Sequence, residues 1–107
     1  MAASITTRLA DIEQQIDDAA KLLENDAGIS AATKAVFDEL HRKTKEARDT
    51  LGGADETTIR EHVVECEQAA DSAKYAAEAD EKIAAASKDA VLAVHDALCE
   101  LKGELGN

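Results

Sequence analysis

A chain of 107 residues with no proline, one Phe and one Tyr is a single domain, long enough to bury a core built from Leu, Ile, Val and much Ala. Its formal net charge of -11 repels phosphate and anionic headgroups, and two aromatics offer little to stack on a base, so nucleic-acid and membrane-surface binding are disfavoured. Ala, Glu, Lys and Leu favour helix and no alternating run of strand formers occurs, so the expected class is all-α.

Met1-Ala2-Ala3-Ser4 leads into an amphipathic stretch with Arg8 and Asp11 rather than an apolar leader, and no segment approaches the ~18 continuous apolar residues of a membrane span. Ala2 stands where myristoylation requires glycine, and Leu105-Gly106-Asn107 is no prenylation box. Two cysteines without an export signal suggest free thiols in a reducing cytoplasm, so the expected location is cytoplasmic.

The first helix is expected from about Ser4, its N-cap, to Glu24, with Ile5, Leu9, Ile12, Ile16, Ala19 and Leu23 on one face in alternating 4-3 spacing. Asn25-Asp26-Ala27-Gly28 ends it, with Gly28 able to take a left-handed conformation. The second helix is expected from about Ser30 to Leu51, with Val36, Phe37, Leu40, Ala47 and Leu51 inward. Asp11, Glu13, Asp17 and Asp18 of the first helix oppose Lys34, Arg42, Lys43, Lys45 and Arg48 of the second, which favours an antiparallel hairpin. Gly52-Gly53 breaks the chain, and Asp55 is placed to cap the next helix.

From Glu56 to Lys102 there is neither Gly nor Pro. Ile59, Val63, Cys66, Ala70, Ala73, Ala77, Asp80, Ala84, Ser87, Val91, Val94, Leu98, Leu101 and Leu105 form one heptad stripe, apolar or small except at Asp80 and Ser87. Two architectures satisfy it. One is a continuous helix of 47 residues, about 70 Å long, which a hairpin half its length cannot cover and which therefore needs an antiparallel dimer. The other is two helices of roughly 22 residues with a turn near Asp80, closing an up-down-up-down bundle within one chain. Similar segment lengths and Asp80 as a cap favour the turn. The absence of glycine and the helix-forming run Ala79-Asp80-Glu81-Lys82 favour continuity, and the balance falls to the long helix and the homodimer. Either way the fold is an antiparallel bundle of heptad-patterned helices, with residues 1–107 as one domain.

Chemistry-bearing motifs are few. His62 and Cys66, and again His95 and Cys99, make two His-x-x-x-Cys pairs, each on one helical face. They are symmetric about position 80.5, so an antiparallel fold there sets His62 beside Cys99 and Cys66 beside His95. Two imidazoles and two thiols could make a tetrahedral zinc or copper site. The heptad phase opposes this, because with Cys66 at an inward d position Cys99 falls at an outward b. The competing reading is a buried Cys66 acting as a small hydrophobe, with half-exposed histidines.

Asp38-Glu39-Leu40-His41 is a single Asp-x-x-His, short of a di-iron pattern, and no phosphate loop, nucleophile elbow or dinucleotide fingerprint occurs. No catalytic or cofactor-binding residue is expected. The sequence therefore points to a non-enzymatic helical interaction or oligomerisation module with an acidic surface, whose partners would be a second copy or a basic protein. The alternative is a small metal-binding bundle using His62, Cys66, His95 and Cys99.

Overall fold

The heptad stripe of residues 59–101 survives in the folded chain, but two helices carry it. In the computed structural model, described over residues 2–50 and 55–106, four helices succeed one another: α1 (Ala2–Glu24), α2 (Ala31–Thr50), α3 (Glu56–Ala79) and α4 (Ala85–Gly106). They lie along the 41 Å axis of a body only 22 and 18 Å across, as expected for helices of 20 to 24 residues at about 1.5 Å per residue. α1 packs on α2 and α4, α3 packs on α2 and α4, and the diagonal pairs make no close backbone approach. This is a closed antiparallel four-helix bundle. None of the helices is long and apolar enough to cross a membrane.

The axis is filled by the expected stripe. Leu9, Ile12, Ile16, Ala19 and Leu23 are buried in α1, Phe37, Leu40 and Ala47 in α2, Val63, Cys66, Ala70, Ala73 and Ala77 in α3, and Val91, Val94, Leu98 and Leu101 in α4. In α2 the stripe is completed by Thr33 and Thr44, both buried, while Val36 is half-buried at its edge. Thr44 tolerates burial because its hydroxyl donates to the Leu40 carbonyl one turn back, at 2.9 Å. Ile5, Leu51 and Leu105, and the break at Gly52-Gly53, lie outside the described residues and side chains.

The long helix favoured from sequence is not formed: α3 stops at Ala79 and α4 starts at Ala85. Local propensity does not cause the break. Asp80 leaves helical geometry (φ -85°, ψ 99°), and its carboxylate accepts from the Ser30 N–H at 2.8 Å, the Thr33 hydroxyl at 3.0 Å and the Lys82 N–H at 3.2 Å. The Ser30 and Thr33 donors sit at the start of α2, whose first amides need acceptors, so Asp80 caps a helix 50 residues away in sequence. Asp26 returns the arrangement by accepting from Gly28 N–H at 3.0 Å and from Ala84 N–H, just ahead of α4, at 2.8 Å. The two loops are thus latched by reciprocal carboxylates, and Ile29 and Ile83 pack against the end of the core between them.

Two further expectations change. Gly28 does not adopt a positive φ. It is needed because a Cβ there would lie 2.1 Å from the Lys82 carbonyl oxygen, so the close approach of the two loops excludes any side chain. α1 begins at Ala2, which puts Ser4 inside the helix rather than ahead of it. Ser30 and Asp55 do cap: the Ser30 hydroxyl accepts from Thr33 N–H at 3.2 Å, and the Asp55 carboxylate from Thr58 N–H at 2.8 Å.

The reciprocal latch is one sign of an internal repeat. At a constant offset of 54 residues, Asp26 corresponds to Asp80, Gly28 to Lys82, Ile29 to Ile83, Ser30 to Ala84 and Thr33 to Ser87. The loop hydrogen bonds repeat at the same offset, with Ile29 N–H donating to Asp26 O and Ile83 N–H to Asp80 O, both at 3.4 Å. Identities extend along the helices: Glu13/Glu67, Gln14/Gln68, Asp17/Asp71, Lys34/Lys88, His41/His95 and Glu46/Glu100. The bundle is therefore two copies of one helical hairpin, α1–α2 and α3–α4, packed about a pseudo-two-fold axis.

Candidate functional site

Among the described residues, one group of potential metal donors converges, on the outer flank of the α3–α4 hairpin: Glu67, Asp71, His95 and Cys99, one ligand atom from each, all within 4.8 Å of one another. Glu67 and Asp71 lie one turn apart on α3, as do His95 and Cys99 on α4, so i, i+4 spacing aims each pair at the other helix. His95 Nε2 lies 2.5 Å from Asp71 Oδ1 and 3.5 Å from Cys99 Sγ. Cys99 Sγ lies 3.9 Å from Glu67 Oε2, while Glu67 Oε1 accepts from Lys102 Nζ at 2.8 Å. Glu67 and His95 are 6 and 9 % exposed, and Asp71 and Cys99 border solvent. Burial first, and then the carboxylates of Glu67, Asp71 and Asp96, push the Cys99 thiol above its ordinary pKa.

Half of the quartet expected from sequence is present. His95 and Cys99 come together, but His62 and Cys66 lie outside the cluster they enter. The reason is register. The pairs His95–Asp71 and Cys99–Glu67 are both centred on position 83, whereas the sequence symmetry required 80.5. The loop therefore carries α4 past α3 far enough to exchange His62 and Cys66 for Glu67 and Asp71. Cys66 instead faces inward at 1 % exposure, where burial raises its thiol pKa and a hydrogen bond with Thr44 works against that rise. It behaves as a small hydrophobe. His62, half-buried, stays apart from the cluster.

The first hairpin holds a counterpart of this flank. His41 Nε2 pairs with Asp17 Oδ1 at 2.6 Å, as His95 does with Asp71, and Arg48 pairs with Glu13 as Lys102 does with Glu67. Glu13, like Glu67, is nearly buried, at 9 % exposure. One position differs in kind: where the second hairpin has Cys99, the first has Lys45. The shared Glu, Asp, His and cation clamp two helices together, and the thiol is peculiar to the second copy. Sequence reading missed Glu67 and Asp71, although the repetition of Glu13/Asp17/His41 as Glu67/Asp71/His95 is a signal that singles them out.

The opposite flanks also differ. Between α2 and α3 a groove is lined by Val36, Glu39, Lys43, Glu65 and Ala69 among others, a mixture of signs. On the α1–α4 flank the equivalent positions are Ala90, Ala93, Ala97, Asp11 and Gln15, with Asp18 and Asp89 nearby. Asp11, Asp18, Asp89 and Ala93 are exposed there, and Leu22, further along α1, is 44 % exposed. This surface has an alanine floor and an acidic rim, with the nearby Arg8 paired to Glu104. The chain matches no protein family, no curated protein sequence and no solved structure to a degree that would establish kinship.

Proposed function

We propose that the chain is a non-enzymatic helical interaction module that receives a basic, helical protein segment on its α1–α4 flank. The observation that carries this reading is the contrast between the two flanks. The two flanks occupy equivalent places in the repeat, and the α1–α4 flank has Ala90, Ala93 and Ala97 where the other has Val36, Glu39 and Lys43. Small side chains let a helix approach closely, and Asp11, Asp18 and Asp89 supply charge of one sign for its Lys or Arg residues. Self-association, the other partner expected from sequence, loses its motive, because the stripe that would have needed a second chain is covered within one.

The test is titration of the labelled protein with an amphipathic Ala/Lys peptide, monitored by amide chemical shifts. Shifts confined to α1 and α4, weakened by salt and reduced roughly threefold in affinity by each of Asp11→Asn and Asp18→Asn, support the reading. Shifts spread equally over both flanks, or none, count against it.

A further inference from the structure

The donor cluster on the other flank of α4 lies outside the partner surface, and its chemistry is distinct. We infer that Glu67, Asp71, His95 and Cys99 form a single binding site for a zinc-class divalent ion.

Three observations lead there. The first is distance. Bonds of roughly 2.0 to 2.3 Å at tetrahedral angles place N, S and O donors roughly 3.4 to 3.6 Å apart. The imidazole Nε2 and the thiol Sγ already stand at 3.5 Å, and Sγ and Glu67 Oε2 at 3.9 Å. The His95–Asp71 pair, at 2.5 Å, has to open, as an ion entering between them requires, and all four donors lie within 4.8 Å of one another.

The second observation is what surrounds the donors. His95 Nε2 is the ring nitrogen nearer the thiol, at 3.5 Å against 3.9 Å for Nδ1. The exposed Asp96 carboxylate lies 3.5 Å from Nδ1, within ion-pair reach of the nitrogen that a metal-bound imidazole leaves free. Lys102 occupies only Oε1 of Glu67, which leaves Oε2 on the side of the thiol. One imidazole, one thiolate and two carboxylates suit zinc or cobalt(II) better than magnesium or calcium, which take oxygen alone.

The third is the internal control. The first hairpin keeps Glu13, Asp17 and His41 in the same relation but carries Lys45, an ammonium with no lone pair to offer, in place of Cys99. An ion-pair clamp explains what both copies share. It does not explain the exchange of a cation for a thiol whose Sγ lies 3.9 Å from Glu67 Oε2. A divalent ion accounts for that exchange: the thiol proton passes to solvent on binding, and the ion offsets the charges of the thiolate, Glu67 and Asp71.

The reduced full-length chain is titrated with zinc by calorimetry and with cobalt(II) by absorption. The expected result is one ion per chain, a dissociation constant of about micromolar or tighter, and a near-ultraviolet thiolate-to-cobalt charge-transfer band. Cys99→Ser, at a partly exposed position that leaves the core intact, should weaken zinc roughly tenfold or more and remove the band. His95→Ala should weaken it likewise, whereas His41→Ala and Cys66→Ser, with folding checked by circular dichroism, should change neither. Absence of saturable binding, zinc binding indifferent to Cys99→Ser, or binding lost equally in His41→Ala would overturn the assignment.

Discussion

The two hairpins share a skeleton, a loop latch and a polar clamp, yet they divide the interior unequally. On α1 and α3 the first copy is the larger throughout, with Leu9, Ile12, Ile16 and Leu23 against Val63, Cys66, Ala70 and Ala77. On α2 and α4 the order changes along the axis: Phe37 exceeds Val91 near the latch, but Thr44 and Ala47 stand against Leu98 and Leu101 toward the other end. A repeat thus keeps what its fold needs at equivalent places, the Asp caps and the Asp–His pairs, and lets the size of its core side chains diverge.

That contrast is open to direct attack. Phe37→Ala should cost about 3 to 5 kcal/mol in chemical denaturation, since the ring is 1 % exposed and its removal leaves a large cavity in the core. Val91→Ala, at the equivalent position, should cost roughly 1.5 to 3 kcal/mol. Equal losses would mean that the two copies carry equal shares of the core near the latch.

A smaller asymmetry lies in the loops. Gly28→Ala forces a Cβ against the Lys82 carbonyl and should cost about 1 to 3 kcal/mol, while Lys82→Ala, its counterpart, should stay within about 0.5 kcal/mol. A neutral Gly28→Ala in the same denaturation assay would show that the loops stand further apart than described.

The smallest effect concerns the feature the copies share. Asp26 and Asp80 are both held below the ordinary carboxyl value of 3.8, Asp26 chiefly by the Ala84 N–H and Asp80 chiefly by the Ser30 N–H. Because the folded-state pKa is the lower one, their contribution is present above about pH 4 and is lost as pH falls through the depressed values. Asp26→Asn and Asp80→Asn should each lower the thermal midpoint at pH 7 and flatten its decline toward pH 3, by similar amounts. An unequal response would show that the latch is not reciprocal.

Most of the fold was legible in residue spacing. The 4-3 pattern identified nearly every buried apolar side chain, including those on both sides of the break at Asp80, but not the buried polar ones Glu13, Thr33, Thr44, Glu67 and His95. The break itself was not, because Ala79-Asp80-Glu81-Lys82 is locally good helix and the donors that overrule it, Ser30 and Thr33, are supplied only by tertiary structure. That one error also displaced the candidate site. A centre of symmetry placed by the His and Cys positions paired His95 and Cys99 with His62 and Cys66, and the true register paired them with Glu67 and Asp71. The offset of 54 residues would have corrected both, since it matches Asp80 to Asp26 in a loop already expected to be a turn.

The covalent joining of the two hairpins has a consequence for valency. Two identical hairpins meeting about a true two-fold would carry every feature twice, and a thiol gained on one flank would appear on the other. Within one chain Cys99 answers to Lys45 and Ala97 to Lys43, so neither change is mirrored. A ligand that reads those differences meets one address per molecule. A single chain thus offers such a ligand one site, where two identical hairpins would offer two.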